Sequence, residues 1–237
     1  MLELAGLRNV PKIAAPCNLG KVLVKTAQKE NFSIQDGDIL CVASKICSKA
    51  QGNIVDLKKI KPSKLAEKIH QQMPRKDARL IQVILEQTQD ATGKRLDLAD
   101  NYLGAWLPNG LFLTSGGVDK GENKTAITLP KDCDAAAKEI GTAFFTATGK
   151  RVAVIITDSD GRIDKKGATQ IAVGLYGIKG LRVSNDGKKK NIETLCDMLA
   201  AAAGLIMGQR GTSIPVVRIR GLDYSFTENS GLADVVN

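Results

Sequence analysis

Histidine is almost missing from this chain: His70 is its single copy in 237 residues. A Ser–His–Asp or Cys–His triad would have to run through that ring, which lies on an expected helix between Ile69 and Gln71. Zinc ligation is poorly served as well. Cys17, Cys41, Cys47, Cys133 and Cys196 are odd in number and form no Cys-x-x-Cys pair, which argues against a zinc site and against a disulfide framework. Most stand in apolar runs, where a thiol behaves as a small hydrophobe. Aromatics are only 4%, so an aliphatic core is expected and an aromatic RNA-reading sheet is not. No segment reaches the roughly 20 apolar residues that span a bilayer. Met1–Ala5 lacks the basic start and apolar stretch of a signal peptide, so a cytoplasmic protein without a membrane partner is expected. There is no Walker phosphate loop, no Gly-x-Gly-x-x-Gly turn and no Gly-x-Ser-x-Gly elbow.

What is present begins with charge. The formal net charge is +9, but Lys and Arg are scattered. The densest run, Lys188-Lys189-Lys190 after Asp186-Gly187, reads as a solvated turn. This distribution favours small anions over nucleic acid. The length allows a single domain over 1–237 or two interlocked subdomains.

Asn18 predicts the cap of a helix over Leu19–Lys29, with Leu19, Val22, Leu23 and Thr26 on one face. Ile39–Ala43 predicts a buried strand. Helices are expected after Pro62-Ser63 and after Asp77, over Asp132–Ala147 ending at Gly149, and over Ile192–Met207. Leu111–Thr114, Ile171–Gly174 and Pro215–Arg220 predict further strands. Val152–Thr157 is the clearest strand, continuous, β-branched at all but Ala153 and expected to be covered on both faces. The order lacks the regular alternation of a doubly wound sheet, so the fold class expected is α+β, with mixed or antiparallel sheets flanked by helices.

Three stretches carry chemistry. After the clearest strand come Asp158-Ser159-Asp160-Gly161-Arg162, read as a turn. Its carboxylates and hydroxyl are hard donors suited to magnesium or manganese, and the Arg162 fork suits a phosphate or carboxylate. The competing reading is an Asx turn closed by Asp158 on its own backbone. Thr114-Ser115-Gly116-Gly117-Val118-Asp119 is a second strand end with a carboxylate. Two such ends meeting in space would build a metal site without histidine, as phosphoryl transfer uses. Third, Ser44-Lys45 and Ser48-Lys49 follow the first buried strand; lysine binds phosphate as a point charge, and the alternative is a solvated turn.

Taken in order, these blocks resemble the coenzyme F-420 gamma-glutamyl ligases. The likeness runs through Gly37–Leu40 and Ser44–Gly52, Pro62-Ser63, Ile81–Gln87, Gly117-Val118-Asp119, Val154–Arg162, Gly167 with Ala172–Ile178, Ala200–Gln209 and Pro215–Gly221. Each block is weak alone; the series is specific and covers nearly the whole chain. The resemblance implies an intertwined homodimer of that ligase fold. It implies GTP (or ATP) as co-substrate, magnesium or manganese, and potassium (K) as a further cation. By the same likeness, Val10, Pro11, Lys12 and Ile13 would hold GTP together with Ser44, Lys45, Lys49 and the loop Gly208, Gln209, Arg210, Gly211, Thr212, Ser213 and Ile214. Asp119, Asp158, Ser159 and Gln209 would ligate metal, and Asp119, Asp158 and Arg162 would serve catalysis. The implied reaction sends a substrate carboxylate onto the γ-phosphate, and the amine of L-glutamate then captures the acyl phosphate.

The departures are local. Where the family has Asn-Ala-Gly-Ile-Asp, this chain has Ser115-Gly116-Gly117-Val118-Asp119, followed by Glu122 and Asn123 near the place of an expected Asn. Ile163-Asp164-Lys165 replaces an aromatic and an arginine. The resemblance implies the deazaflavin coenzyme precursor as acceptor, with a folate as the alternative; the latter change favours a folate-type pteridine-glutamate acceptor over that anionic precursor. A non-catalytic nucleotide- or RNA-binding relative is the alternative of another class; retention of Asp119, Asp158 and Gln209 together speaks for the enzyme.

Overall fold

The computed structural model describes every residue except Asp186, Lys188 and 210–213. In chain order the elements are β1 (Glu3–Leu7), α1 (Leu19–Lys29), β2 (Ile39–Ala43), α2 (Ser44–Ala50), β3 (Ile54–Asp56), α3 (Lys64–Gln72), α4 (Ala78–Thr88), β4 (Leu96–Ala99), β5 (Tyr102–Trp106), β6 (Phe112–Thr114), β7 (Asp119–Lys120), β8 (Thr125–Ile127), α5 (Cys133–Thr148), β9 (Ala153–Gly161), β10 (Ala168–Tyr176), β11 (Leu181–Asn185), β12 (Lys190–Thr194), α6 (Leu195–Met207) and β13 (Val216–Arg220). This is a mixed α+β architecture.

Five strands form the main sheet in the order β1-β13-β2-β9-β10. Within it β2 and β9 run parallel, and the other three pairs are antiparallel. Side chains alternate across the sheet. Leu40 and Val42 of β2 join Val154 and Ile156 of β9 on the face packed by Leu23 of α1 and by Ile140 and Phe144 of α5. Ile39, Cys41, Ala153 and Ile155 face the other way, onto Leu199, Ala203 and Met207 of α6. Covered on both sides, β2 and the first half of β9, Ala153–Ile156, carry apolar residues at every position. A third cluster packs α3 and α4 onto β5 and β8, strands of two small three-stranded sheets.

Local chemistry starts and stops the helices as expected. The Asn18 carboxamide accepts the Lys21 amide at 2.8 Å, Ser63 accepts from Ala66, and Gly149 ends α5 in a left-handed conformation. The edge strand β10 is closed by carboxylates. Its bulge after Ala172 leaves the Ala172 amide to Asp197, at 2.8 Å, and the Leu175 amide to Asp134, at 2.6 Å. Side-chain acceptors thereby occupy donors that would otherwise invite another strand.

Several expectations are corrected. Asp158–Gly161 is not a turn: β9 continues to Gly161 because β10 pairs with it along its length, and the chain turns only beyond it. Ile192–Thr194 belongs to β12, paired with β11, so the last long helix starts at Leu195. The stretch from Ser44 to Ala50 is a helix, and its Lys45 and Lys49 stand four residues apart.

Asp38 is wholly buried ahead of β2 and is held by Arg220 of β13, whose Nε and Nη2 donate to its two carboxylate oxygens at 2.7 Å each. Arg220→Met would leave that carboxylate unpaired and is expected to cost about 3–5 kcal/mol in urea unfolding. Asp38→Leu combined with Arg220→Met is expected to cost clearly less.

Candidate functional site

A cavity of about 580 Å³ opens at one end of the main sheet. Strand directions explain why so many distant segments reach it. Parallel pairing sets Ala43 beside Thr157, so the residues that follow, Ser44 and Asp158, emerge side by side. Antiparallel β13 starts there, with Val216 beside Val42, and brings Ile214 and Pro215 with it. β1 ends there, with Leu7 beside Val216, and delivers Val10–Ile13. α6 ends there too. Its last residue, Met207, is followed by Gly208 at φ 62° and ψ −167°, a backbone region open essentially to glycine alone. Crevices at the carboxyl ends of adjacent parallel strands are where open sheets collect ligands.

Of the residues singled out from the sequence, Val10, Pro11, Lys12, Ile13, Ser44, Lys45, Lys49, Asp119, Asp158, Ser159, Gly208, Gln209 and Ile214 line this one cavity. Arg210, Gly211, Thr212 and Ser213 lie outside the described residues. Arg162 does not line it; its Nε turns to Asp164 Oδ1 at 3.4 Å. His70 is also absent from the lining; its Nδ1 is hydrogen-bonded with the Lys76 carbonyl at 2.6 Å.

The lining is rich in charge of both signs. Lys45 Nζ lies 2.8 Å from Asp119 Oδ2, with both side chains about half exposed. Lys12 reaches both carboxylate oxygens of Glu122 at 3.1 Å. That lysine, and more weakly Lys49, draws the Glu122 pKa below its ordinary value. Among the described residues, Asp158 has no such cation. Ser44 Oγ donates to its Oδ1 at 2.6 Å, and Asp119 lies near enough to act on it as a like charge. Loss of hydration, the largest cause, pushes the Asp158 carboxyl up to about 7; Asp119 adds to this, while the Ser44 bond opposes it. On the α6 side of the strand, buried Gln170 donates through Nε2 to Ser159 Oγ at 2.9 Å and fixes that hydroxyl at the rim.

A family described as F420-0:gamma-glutamyl ligase matches residues 8–221. The coenzyme F420:L-glutamate ligase of Methanothermobacter thermautotrophicus is 30% identical, over 97% of this chain and 93% of that protein. Those of Methanocaldococcus jannaschii and Methanosarcina barkeri are 35% and 32% identical, over 84% and 98% of this chain and 82% and 91% of theirs. The chain belongs to the F420-0:gamma-glutamyl ligase family.

Beside the residues expected from this family's pattern, the cavity holds Glu122, Thr157, Gln170 and Met207. Glu122 was visible only as a departure from the pattern. Gln170 had no signal of its own, since it meets Ser159 through the register of β10 on β9. The Ile163-Asp164-Lys165 turn does not line the cavity, and the Asp164 carboxylate has Arg162 at 3.4 Å and Lys165 at 3.9 Å. Its charge is compensated locally, which weakens the argument that it repels an anionic acceptor.

The raised pKa of Asp158 makes a stability prediction for protein kept in EDTA. Its folded value lies above the unfolded one, so the folded state holds the proton more tightly. The associated stability is present below about pH 4 and is lost as pH rises through 7, up to about 4 kcal/mol in all. Asp158→Asn should therefore be more stable than the natural chain at pH 8 and close to it at pH 4. Chemical denaturation of both proteins at the two pH values checks this.

Proposed function

We propose that this chain is a GTP- and divalent-metal-dependent gamma-glutamyl ligase that joins L-glutamate to the carboxylate of a deazaflavin coenzyme precursor. The observation that carries the reading is the convergence of three lysines and two close aspartates in one cavity of a chain from this family. The acceptor follows the names of the relatives, which act on coenzyme F420.

The residues present fit a hard divalent cation. Among the described residues no three His, Cys, Asp or Glu side chains gather as a metal cluster. Two carboxylates with neutral oxygens beside them are what magnesium uses when substrate phosphates complete its shell. Asp119 and Asp158, with the Ser159 hydroxyl and the Gln209 amide oxygen, would hold it, and it would supply neutralisation of phosphate charge. Asp158, whose carboxyl burial pushes up to about 7, would give up its proton to solvent when such an ion binds.

Lys45 and Lys49 lie one helical turn apart on α2 and would bind the phosphates, with Lys12 across the cavity. Ser44 holds Asp158 in place. The acceptor carboxylate attacks the γ-phosphorus of GTP, the bond to the β-phosphate breaks and GDP leaves, giving an acyl phosphate; the glutamate amine, its extra proton lost to solvent, then displaces inorganic phosphate to form the amide. The protein's part is to orient these groups and stabilise their charge. No cysteine lines the cavity, and burial pushes the Cys41 and Cys47 thiols far above their ordinary range, which agrees with a route that has no protein nucleophile. A non-catalytic binding relative would gain nothing from two carboxylates beside the phosphate-facing lysines.

The test is transfer of radiolabelled glutamate in the presence of GTP and Mn²⁺, with the deazaflavin precursor and a pteroyl-glutamate as parallel acceptors. Label on the deazaflavin precursor is expected; no transfer to either acceptor removes the ligase reading, and preference for the pteridine moves the acceptor. Lys45→Ala and Lys49→Ala should each weaken GTP binding by about 1–3 kcal/mol in calorimetry, the scale of a charge-assisted hydrogen bond.

A homodimer is part of the same proposal. The β11–β12 hairpin pairs with no other strand among the described residues, and its cross-strand pair Val183 and Ile192 is more than half exposed. An isolated hairpin is marginal in water, and a second copy of the chain would cover this exposed pair. Light scattering should give the dimer mass, and Val183→Lys with Ile192→Lys should give the monomer.

A further inference from the structure

Ser115, Gly116 and Gly117 follow one another with φ of 57°, 59° and 67°. This left-handed run, with Val118, is the entire connection between β6 and Asp119. Its shape, together with the pairing of Asp119 beside Ile127 of β8, decides where the Asp119 carboxylate is presented. The Val118 amide closes it on the Ser115 carbonyl at 3.0 Å. Two of its three residues are glycines, which accept this backbone freely; Ser115 carries a Cβ and does not.

Lys76 meets the turn at that residue. Its Nζ donates to Ser115 Oγ at 2.6 Å. Among the described residues no carboxylate lies within ion-pair distance of this ammonium. It is partly buried, and burial lowers its pKa. The link between α3 and α4 presents it firmly. The Lys76 amide donates to the Met73 carbonyl at 3.0 Å, its own carbonyl is held by His70, and the next residue, Asp77, caps α4. A half-buried lysine without a counter-charge is costly to keep, and what it does here is hold a strained turn.

We propose that Lys76 is a positioning residue: by holding the Ser115 hydroxyl it keeps the left-handed turn closed and aims Asp119 into the cavity. What Asp119 then binds rests on the ligase reading; the turn itself does not.

The experiment separates the two. Hydrogen exchange is measured on the full chain across the segment from β6 to β7, in the natural protein and in Lys76→Met. Exchange of the Val118 amide should quicken by about tenfold or more, while β9 and α5 are unchanged, as expected for a local opening that loses one support. Ser115→Ala, which removes the acceptor and leaves the lysine, should quicken it likewise and serves if Lys76→Met does not fold. Unchanged exchange at Val118 overturns the proposal whatever the protein binds. The second readout is GTP affinity by calorimetry at fixed Mn²⁺. Lys76→Met should weaken it by about tenfold, a loss at the lower end of the strain held in such a turn. Lys76→Met with Ser115→Gly should recover to within about threefold, because glycine takes the conformation unaided. Failure of this rescue would mean that Lys76 acts on the ligand directly, and the positioning role would fall. Natural protein that binds no GTP would remove the nucleotide reading and leave exchange to decide the turn.

Discussion

The parallel pairing of β2 with β9 is the constraint on which the rest of this molecule depends. It aligns two carboxyl-terminal strand ends, Ala43 beside Thr157, within a sheet whose other pairings are antiparallel. Their continuations place the Ser44 hydroxyl 2.6 Å from Asp158. The antiparallel neighbours then end or begin at that same edge, so four chain segments far apart in sequence open into one cavity. Two-sided burial holds the arrangement rigid, since both faces of β2 and β9 are packed by helices.

Rigidity keeps a cavity lined by charge of both signs assembled. Lys45 and Asp119 satisfy each other at 2.8 Å, Lys12 and Glu122 at 3.1 Å, and these exposed pairs are individually weak. Weakness leaves these groups free to exchange one partner for another, as the proposed phosphate and metal binding would need. Asp158 is held differently, by a hydroxyl and by the strand itself, with its charge suppressed by its surroundings. The cavity thus combines fixed oxygen donors on strands with mobile cations on a helix and a loop. Strand-borne groups keep their geometry, and long lysine side chains adapt to the ligand.

The carboxylates of the fold divide by the same logic. Asp134 and Asp197 occupy backbone amides within the edge strand β10, and Asp38 anchors β13 through Arg220. Each has its acceptors engaged within the fold. Asp119 and Asp158 face the cavity, so chemistry is open to them and closed to the others.

Local chemistry was legible in the residues themselves. Asn18, Ser63, Asp77 and Gly149 bound helices as their side chains and backbone preferences dictate, and the unbroken apolar runs Ile39–Ala43 and Val152–Thr157 became the central strands. The ordered series of motifs carried the family and pointed to Lys45, Asp119 and Asp158. The extent of β9 beyond Asp158, the hairpin over Ile192, the place of Gln170 beside Ser159 and the hold of Lys76 on Ser115 were not legible. Each depends on a partner many residues away, and no local preference encodes pairing register. The sequence by itself determined the capped helices and the buried central strands, and which charged and hydroxyl side chains are available to a site. Only the tertiary structure decided which of those residues share a cavity, because the direction and register of strand pairing set where each chain end emerges.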